Sequence, residues 1–499
     1  MTDEETCEQL AFNQQWHYAL ETYDPKEQIF AERTLWTVRH HLTQSNSAHK
    51  IFNIVTDELA NKFNVNTNQQ RMDSVHVYSN MANLGRIRLM SRTITTYLKN
   101  FKRHFSEQYR QDISDELKNK YMRETSGSYF GSSKPSESHK RLSDIATDMQ
   151  FLIEKYCDND AVLKMSSYKL MQRVISEQCI INEGLCEVKV PKEIPSNSIQ
   201  NPSDIDAGYD GHKGQGYQVQ LSETYSRQDD TIEDDKENNL DLITYVKVES
   251  ASEHDSKALS PAIDEMELRA IKPEEMLVDS LYGSDENVIE SLEKDVRVIS
   301  PVMGKKSSKN FEGFEFDEKT KTVLRCPMGK VPNSVKPNKK GTITARWLKG
   351  DCQDCPMKDS CQAQRGPRGH KLFYSEKDIR LWQRREIEDS PEFKDKYRYR
   401  SGIEATNSRY IHMTGARRVR YRGLKKVEFA ETMKALGINM FRVQRYKLKT
   451  GKYLNPNSIL VVKTFILAIF FNYICIFRNL FKEIPPVFRT FQCNSFKSL

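Results

Sequence analysis

An α/β fold organised around one mixed sheet is the reading this sequence supports, on three observations. Residues 1–65 carry apolar side chains at helical spacing, through Ile29, Leu35, Val38, Leu42, Ile51, Ile54 and Leu59. The period then changes: in Arg71-Met-Asp-Ser-Val-His-Val-Tyr-Ser-Asn80, Val75 and Val77 alternate with His76 and Tyr78, which predicts a strand. Further on come two more strands, a helix, and Met276-Leu-Val-Asp-Ser-Leu-Tyr282, a short apolar strand ending at a carboxylate. Strands, then a helix, then another strand fit a mixed sheet covered by helices.

The elements follow in order. Residues 1–68 read as a helical N-terminal region and 69–80 as the first core strand. Residues 81–199 read as a helical insertion, helical from about Met81 to Ile181 and broken only at the Gly/Ser/Pro-rich Ser126–Ser138. The core resumes over 200–303 with the turn-rich Asn201-Pro-Ser-Asp-Ile-Asp-Ala-Gly208 and a strand from Gly216 to Tyr225. An acidic loop, Thr231–Glu237, precedes a strand from Leu240 to Val248 and a helix from Asp255 to Ala270. The Met276 strand and a last strand at Val298–Val302 complete this part. Between 304 and 374 the pattern dissolves into turns, lysines and cysteines, as in an inserted module; helix returns over 375–448, and 449–499 is an apolar C-terminal tail.

Composition narrows the function. The 499 residues suffice for two to four domains, and the net charge of +7 is concentrated: Thr231–Glu237 is acidic, Lys394–Lys452 strongly basic. Such asymmetry favours a localised nucleic-acid surface. Ten cysteines in a chain of this length argue against a disulfide scaffold, and the acidic Met1–Gln9 predicts no secretory leader, so a reducing cytoplasm is expected. Ile459–Phe477 is long and apolar enough to raise a membrane span, but Lys463 and Asn472 interrupt it. A buried or partner-binding helix is preferred there, with a peripheral tail, even one altered by a shifted reading frame, as the third option.

Three constellations carry chemistry. Tyr397, Arg400 and Glu404 fall at i, i+3 and i+7, on one face of an expected helix, and Arg417, Arg418, Arg420, Arg422, Lys425 and Lys426 follow. A carboxylate beside phosphate-binding cations points to metal-assisted work on a nucleic-acid backbone; the bland alternative is a solvated helix whose glutamate only pairs with Arg400. Cys326, Cys352, Cys355 and Cys361 form C-x25-C-x2-C-x5-C, a spacing that suits a closed structural zinc site better than four unrelated cysteines or a redox pair. For catalytic Mg²⁺ or Mn²⁺ the acids are Asp279, Glu404 and a first acid that is either Asp73 or Asp204; Asp255 reads more simply as a helix cap.

Together these pieces resemble the DDE transposases of bacterial insertion sequences, in the subgroup with a cysteine-rich insert. Val278-Asp-Ser-Leu-Tyr-Gly-Ser284 resembles the second-aspartate motif, and Tyr397-x2-Arg400-x3-Glu404 the Tyr-Arg-Glu-Lys signature. Arg417-Arg-Val-Arg-Tyr-Arg-Gly423, Gly214-x-Gly216-Tyr-Gln-Val-Gln, Cys326-Pro-Met-Gly and Cys352-x2-Cys355-Pro resemble further family elements, from about Gln69 to Arg445. The resemblance implies an RNase H-like sheet with Asp73, Asp279 and Glu404 as the metal-binding triad, Arg400 orienting Glu404 or a phosphate, and Tyr397 stacking near the cut. It implies Mg²⁺-dependent strand cleavage and transfer at element ends. The partners would be terminal inverted repeats and target DNA, not a small molecule or a membrane, engaged by a homodimer in the nucleoid. Residues 1–68 would bind the DNA ends. The signature's lysine is replaced by Ile411, which keeps open a rival reading: a zinc-stabilised DNA-binding protein without activity.

Overall fold

The computed structural model describes residues 2–20, 31–122, 137–227, 239–304, 310–339, 341–357, 359–367 and 369–451. The acidic loop and Ile459–Phe477 lie outside them, as does most of Ser126–Ser138. Among the described residues no helix is long and apolar enough to cross a membrane.

The core is a mixed sheet of β1 (Gln69–Tyr78), β2 (Gly214–Thr224), β3 (Ile243–Ser250), β4 (Glu275–Leu277) and β5 (Arg297–Ile299). β2 pairs antiparallel with both β1 and β3, while β4 runs parallel to β1 and β5 parallel to β4. The order is therefore β3-β2-β1-β4-β5, with the short Gly208–Asp210 also on β2, a topology compatible with an RNase H-like fold.

Side chains alternate across β1, and the two faces have different neighbours. Val75 and Val77 pack with α1 (Ser47–Lys62) and with the helices later in the chain, in a core that includes Phe52, Tyr217, Tyr410, Val427 and Leu436. Met72 faces the other way, onto Leu259, Ile263, Met276 and Tyr282. Arg71 and Asp73 share the parity of Val75 and Val77. That parity aims them at the helical layer that carries Glu404.

The insertion after β1 has its own core. Helices α2 (Arg86–His104), α3 (Ser138–Lys155) and α4 (Ser166–Gln178) bury Met90, Ile94, Tyr97, Phe101, Met149 and Tyr168 together. The helix expected to reach Ile181 ends sooner: α4 stops at Gln178, and Cys179–Asn182 pairs with Leu185–Val188 as a hairpin. Glu183 and Gly184, at φ 49° and 83°, make the two-residue turn whose twist matches the strands. The cysteine-rich insert is also more ordered than expected, with four antiparallel strands in the order Ser334–Pro337, Ile343–Trp347, Gly369–Tyr374, Gln364–Gly366. Phe311, Trp347 and Tyr374 form its core.

The uninterrupted helix expected from Ser375 resolves into several pieces. α5 (Glu376–Glu388) starts at a Ser375/Asp378 capping box, and a short helix, Pro391–Tyr397, follows. A 3₁₀ turn (Arg398–Ser401), α6 (Gly402–Thr414) and α7 (Leu424–Thr450) complete the chain's described part.

Candidate active site

The joint between Tyr397 and Gly402 decides the geometry. Tyr397 ends one helix, Arg400 sits in the 3₁₀ turn and Glu404 lies in the first turn of α6, so the three do not share one continuous helical face. Arg71 holds the joint from below. Its Nη1 donates to the Tyr399 carbonyl at 2.6 Å, and its guanidinium lies so close to Gly402 that a Cβ there would stand 2.1 Å from Nη1. Arg71 is in turn fixed by the fully buried Glu223 of β2, which accepts from Arg71 Nε at 2.7 Å, Thr406 Oγ1 at 2.7 Å and Arg442 Nη2 at 2.8 Å. One carboxylate thus ties β1, β2, α6 and α7 together. Two guanidinium groups hold that carboxyl below its ordinary range, against the opposing effect of burial.

Asp73, one pleat along β1 from Arg71, meets the turn itself. Its Oδ2 takes Arg400 Nη2 at 3.1 Å and the Asn407 amide at 3.1 Å, while Arg400 Nη1 donates to Glu404 Oε1 at 2.6 Å. Arg400 therefore bridges two of the expected acids. Asp279 lies just beyond β4, where its Oδ1 accepts from the backbone N–H groups of Leu281 (2.8 Å) and Tyr282 (3.3 Å), and it too acts electrostatically on both Asp73 and Arg400. Burial, with smaller contributions from the charges of Asp279 and Asp255, pushes the Asp73 carboxyl up to about 6 even though Arg400 pulls it down. Tyr397 stacks on Phe393 at 5.4 Å between ring centres, and burial pushes its hydroxyl up.

Asn407 carries no sequence signal beyond its place three residues after Glu404, where one helical turn returns to the same side. Its Oδ1 is buried without a partner, as is Arg400 Nε. Among the described residues no three His, Cys, Asp or Glu side chains stand close enough, as placed, to hold a metal ion. The donor chemistry nonetheless fits a hard divalent cation: a half-buried carboxylate with raised proton affinity, a second carboxylate within electrostatic reach, and an unpartnered amide oxygen beside the first.

Asp204 lies elsewhere. It is buried and accepts from Ser79 Oγ (2.6 Å), Tyr217 Oη (2.6 Å) and the N–H of Gly423 (3.0 Å), while Asp206 accepts from the N–H of Leu424 at 2.8 Å. The pair anchors the start of α7 to the end of β1. Asp255 is buried in a 3₁₀ turn and accepts from Gln220 at 3.1 Å.

The basic stretch runs alongside β1. The Tyr78 N–H donates to the Arg417 carbonyl and the Tyr78 carbonyl accepts from the Val419 N–H, both at 2.9 Å. Val419 is buried, and Arg417, Arg418, Arg420, Arg422, Lys425 and Lys426 are all exposed. Ile411 is half-buried against the same core as Val75 and Tyr410. In the insert, Cys326, Cys352, Cys355 and Cys361 line one small pocket with Trp347 and Asp351. Burial, then the neighbouring thiols, pushes Cys352 up to about 11.

Residues 325–444 match a protein-family model described as a transposase DDE domain. That match supports a DDE transposase. It spans the four cysteines, Arg400, Glu404 and the basic stretch, and stops short of Asp73 and Asp279. A comparison with curated proteins gives no match.

Proposed function

We propose that this protein is a DDE transposase that cleaves DNA strands at the ends of an insertion sequence and joins the exposed 3′-OH to target DNA. The observation that carries the reading is Arg400 bridging Asp73 and Glu404 beside Asp279, with six exposed cations on the adjoining surface. Asp73, Asp279 and Glu404 would hold two Mg²⁺ or Mn²⁺ ions, which supply nucleophile activation and charge neutralisation at the leaving oxygen. Asp73 is preferred to Asp204 as first acid because both Asp204 oxygens are committed to structural hydrogen bonds. Arg400 orients Glu404 and pairs with Asp73, and it would be free to meet a phosphate if bound cations balanced those carboxylates instead. Asn407 holds the Asp73 carboxylate in its rotamer and offers its free oxygen to the same site. Tyr397, backed by Phe393, presents a ring near the cut, and Arg417–Lys426 hold the backbone. Cys326, Cys352, Cys355 and Cys361 would hold structural zinc, since a cation removes the mutual repulsion of clustered thiolates. Residues 1–68 contact the element ends, and two copies act together on DNA in the bacterial nucleoid.

One observation favours the inert DNA-binding alternative: Ile411 packs into the core where the signature would offer a cation. The two readings part on duplexes carrying the sequence that flanks the coding region, incubated with Mg²⁺ or Mn²⁺. Cleavage by the native chain that is lost in Glu404→Gln, with binding retained, supports the transposase. Equal cleavage by both removes Glu404 from the chemistry; specific binding without cleavage by either supports the inert reading.

A further inference from the structure

The first helix of the insertion carries a charge pattern that its packing does not require. α2 buries Leu89, Met90, Thr93, Ile94, Tyr97, Leu98 and Phe101. On its other side Arg88, Arg92, Lys99 and Arg103 stand at i, i+4, i+11 and i+15, all exposed, in one stripe about 22 Å long at about 1.5 Å per residue. None of the four forms an ion pair among the described residues. Arg86, by contrast, is fully occupied: it donates to Gln178 Oε1 (2.8 Å), the Lys189 carbonyl (2.8 Å) and the Gln178 carbonyl (3.0 Å). Arg103 near the C-terminus complements the helix dipole, but Arg88 stands in a first turn with no acidic residue, where a cation is unfavourable.

The loop that leads into α2 also touches the basic stretch of the site. The loop from β1 to α2 contains Asn80, whose amide donates to the Arg420 carbonyl at 3.3 Å and whose Oδ1 accepts from Arg422 Nε at 3.4 Å. One exposed run of cations is thus anchored to the loop from which the helix bearing the other begins, directly after the strand that carries Asp73.

We infer that the outer face of α2 is a second DNA-backbone surface, which binds duplex lying beyond the cleavage site. This rests on the reading of DNA as substrate. At about 3.4 Å of duplex per base pair, the stripe spans about six base pairs, and cations on one helix face that form no ion pair among the described residues suit phosphates, not base edges.

The test is anisotropy of a fluorescein-labelled random-sequence duplex across a KCl series, comparing the native full-length chain with R88Q/R92Q/K99Q/R103Q. Removing four phosphate contacts should flatten the log K against log salt slope by about 3 to 4. R88K/R92K/R103K, which keeps the charges, should restore the native slope. A native slope in the Gln variant overturns the inference, whatever the chain does with Mg²⁺. A flattened slope in a chain that never cleaves sustains it and fails the transposase reading alone. No binding of the duplex by the native chain overturns both.

Discussion

Glu223 is the residue whose loss should propagate furthest. It has no exposed surface, and Arg71, Arg442 and Thr406 all donate to it within 2.8 Å. Glu223→Gln keeps the volume but removes the one carboxylate between two guanidinium groups, and half of the new side chain is a donor facing donors. Breaking a buried pair in this way costs about 3–5 kcal/mol. Asp241 softens the loss: burial and then the Glu223 charge push its carboxyl up to about 6, so it ionises more readily once Glu223 is neutral. The expected cost at pH 7.5 is therefore near the lower end, about 3 kcal/mol. Because the Glu223 pKa is depressed in the fold, its stabilisation is present above the unfolded value near 4.3 and fades as pH falls through the folded value. Urea melts of both chains at pH 7.5 measure the loss, and amide exchange reports whether residues 398–406 loosen as Arg71 is freed. A loss below about 1 kcal/mol at pH 7.5, with unchanged exchange at 398–406, would refute the assignment of this carboxylate as the tie between sheet and signature.

Other consequences are as direct. In metal-free buffer the raised Asp73 carboxyl penalises the fold above pH 6, and the penalty vanishes below its unfolded value. Asp73→Asn should thus stabilise by about 3 kcal/mol at pH 8 and by less than about 1 at pH 4, and thermal melts that show destabilisation at pH 8 contradict this. Gly402→Ala must displace Arg71 or the start of α6, at a cost of about 1–3 kcal/mol read by urea melts; an unchanged midpoint counts against the close approach. Purified protein should carry about one zinc per chain, with Cys352→Ser lowering metal content and the melting temperature of the insert; full metal content in the variant rules out the four-thiolate site. Ile411→Lys can lay its stem on the core and extend its amine, steepening the salt slope for DNA by about 1, and an unchanged slope means the position does not face DNA.

Much of this was legible because it follows from periodicity. Val75 and Val77 gave β1, and Met276-Leu-Val-Asp gave β4 and the acid just beyond its end. The hairpin after Gln178 escaped because Ile180, Ile181 and Leu185 are exposed on it, so an apolar pattern did not mark burial. Glu223 escaped for the opposite reason. Alternation in Gly216-Tyr-Gln-Val-Gln-Leu-Ser-Glu suggests one wet face, yet β2 is buried on both, and the Gln218, Gln220, Ser222 and Glu223 side chains bond internally. Asp204 and Asp206 stayed ambiguous because acids before a glycine serve equally as turn acceptors and as ligands. Only their donors on Ser79, Tyr217, Gly423 and Leu424 separate the two uses.

The break at Tyr397–Gly402 could not come from local sequence, since Lys-Tyr-Arg-Tyr-Arg-Ser has no strong helix breaker before Gly402. Tertiary contact imposes it: Arg71 draws the Tyr399 carbonyl downward, and the missing Cβ at Gly402 lets the guanidinium lie under the chain. This makes the spacing of Tyr397, Arg400 and Glu404 a record of two constraints instead of one helical face. Arg400 must leave the turn toward Asp73 while Glu404 leaves the first turn of α6 toward solvent, and a straight helix cannot serve both. The buried Arg71–Glu223 pair beneath therefore sets where Glu404 stands relative to Asp73.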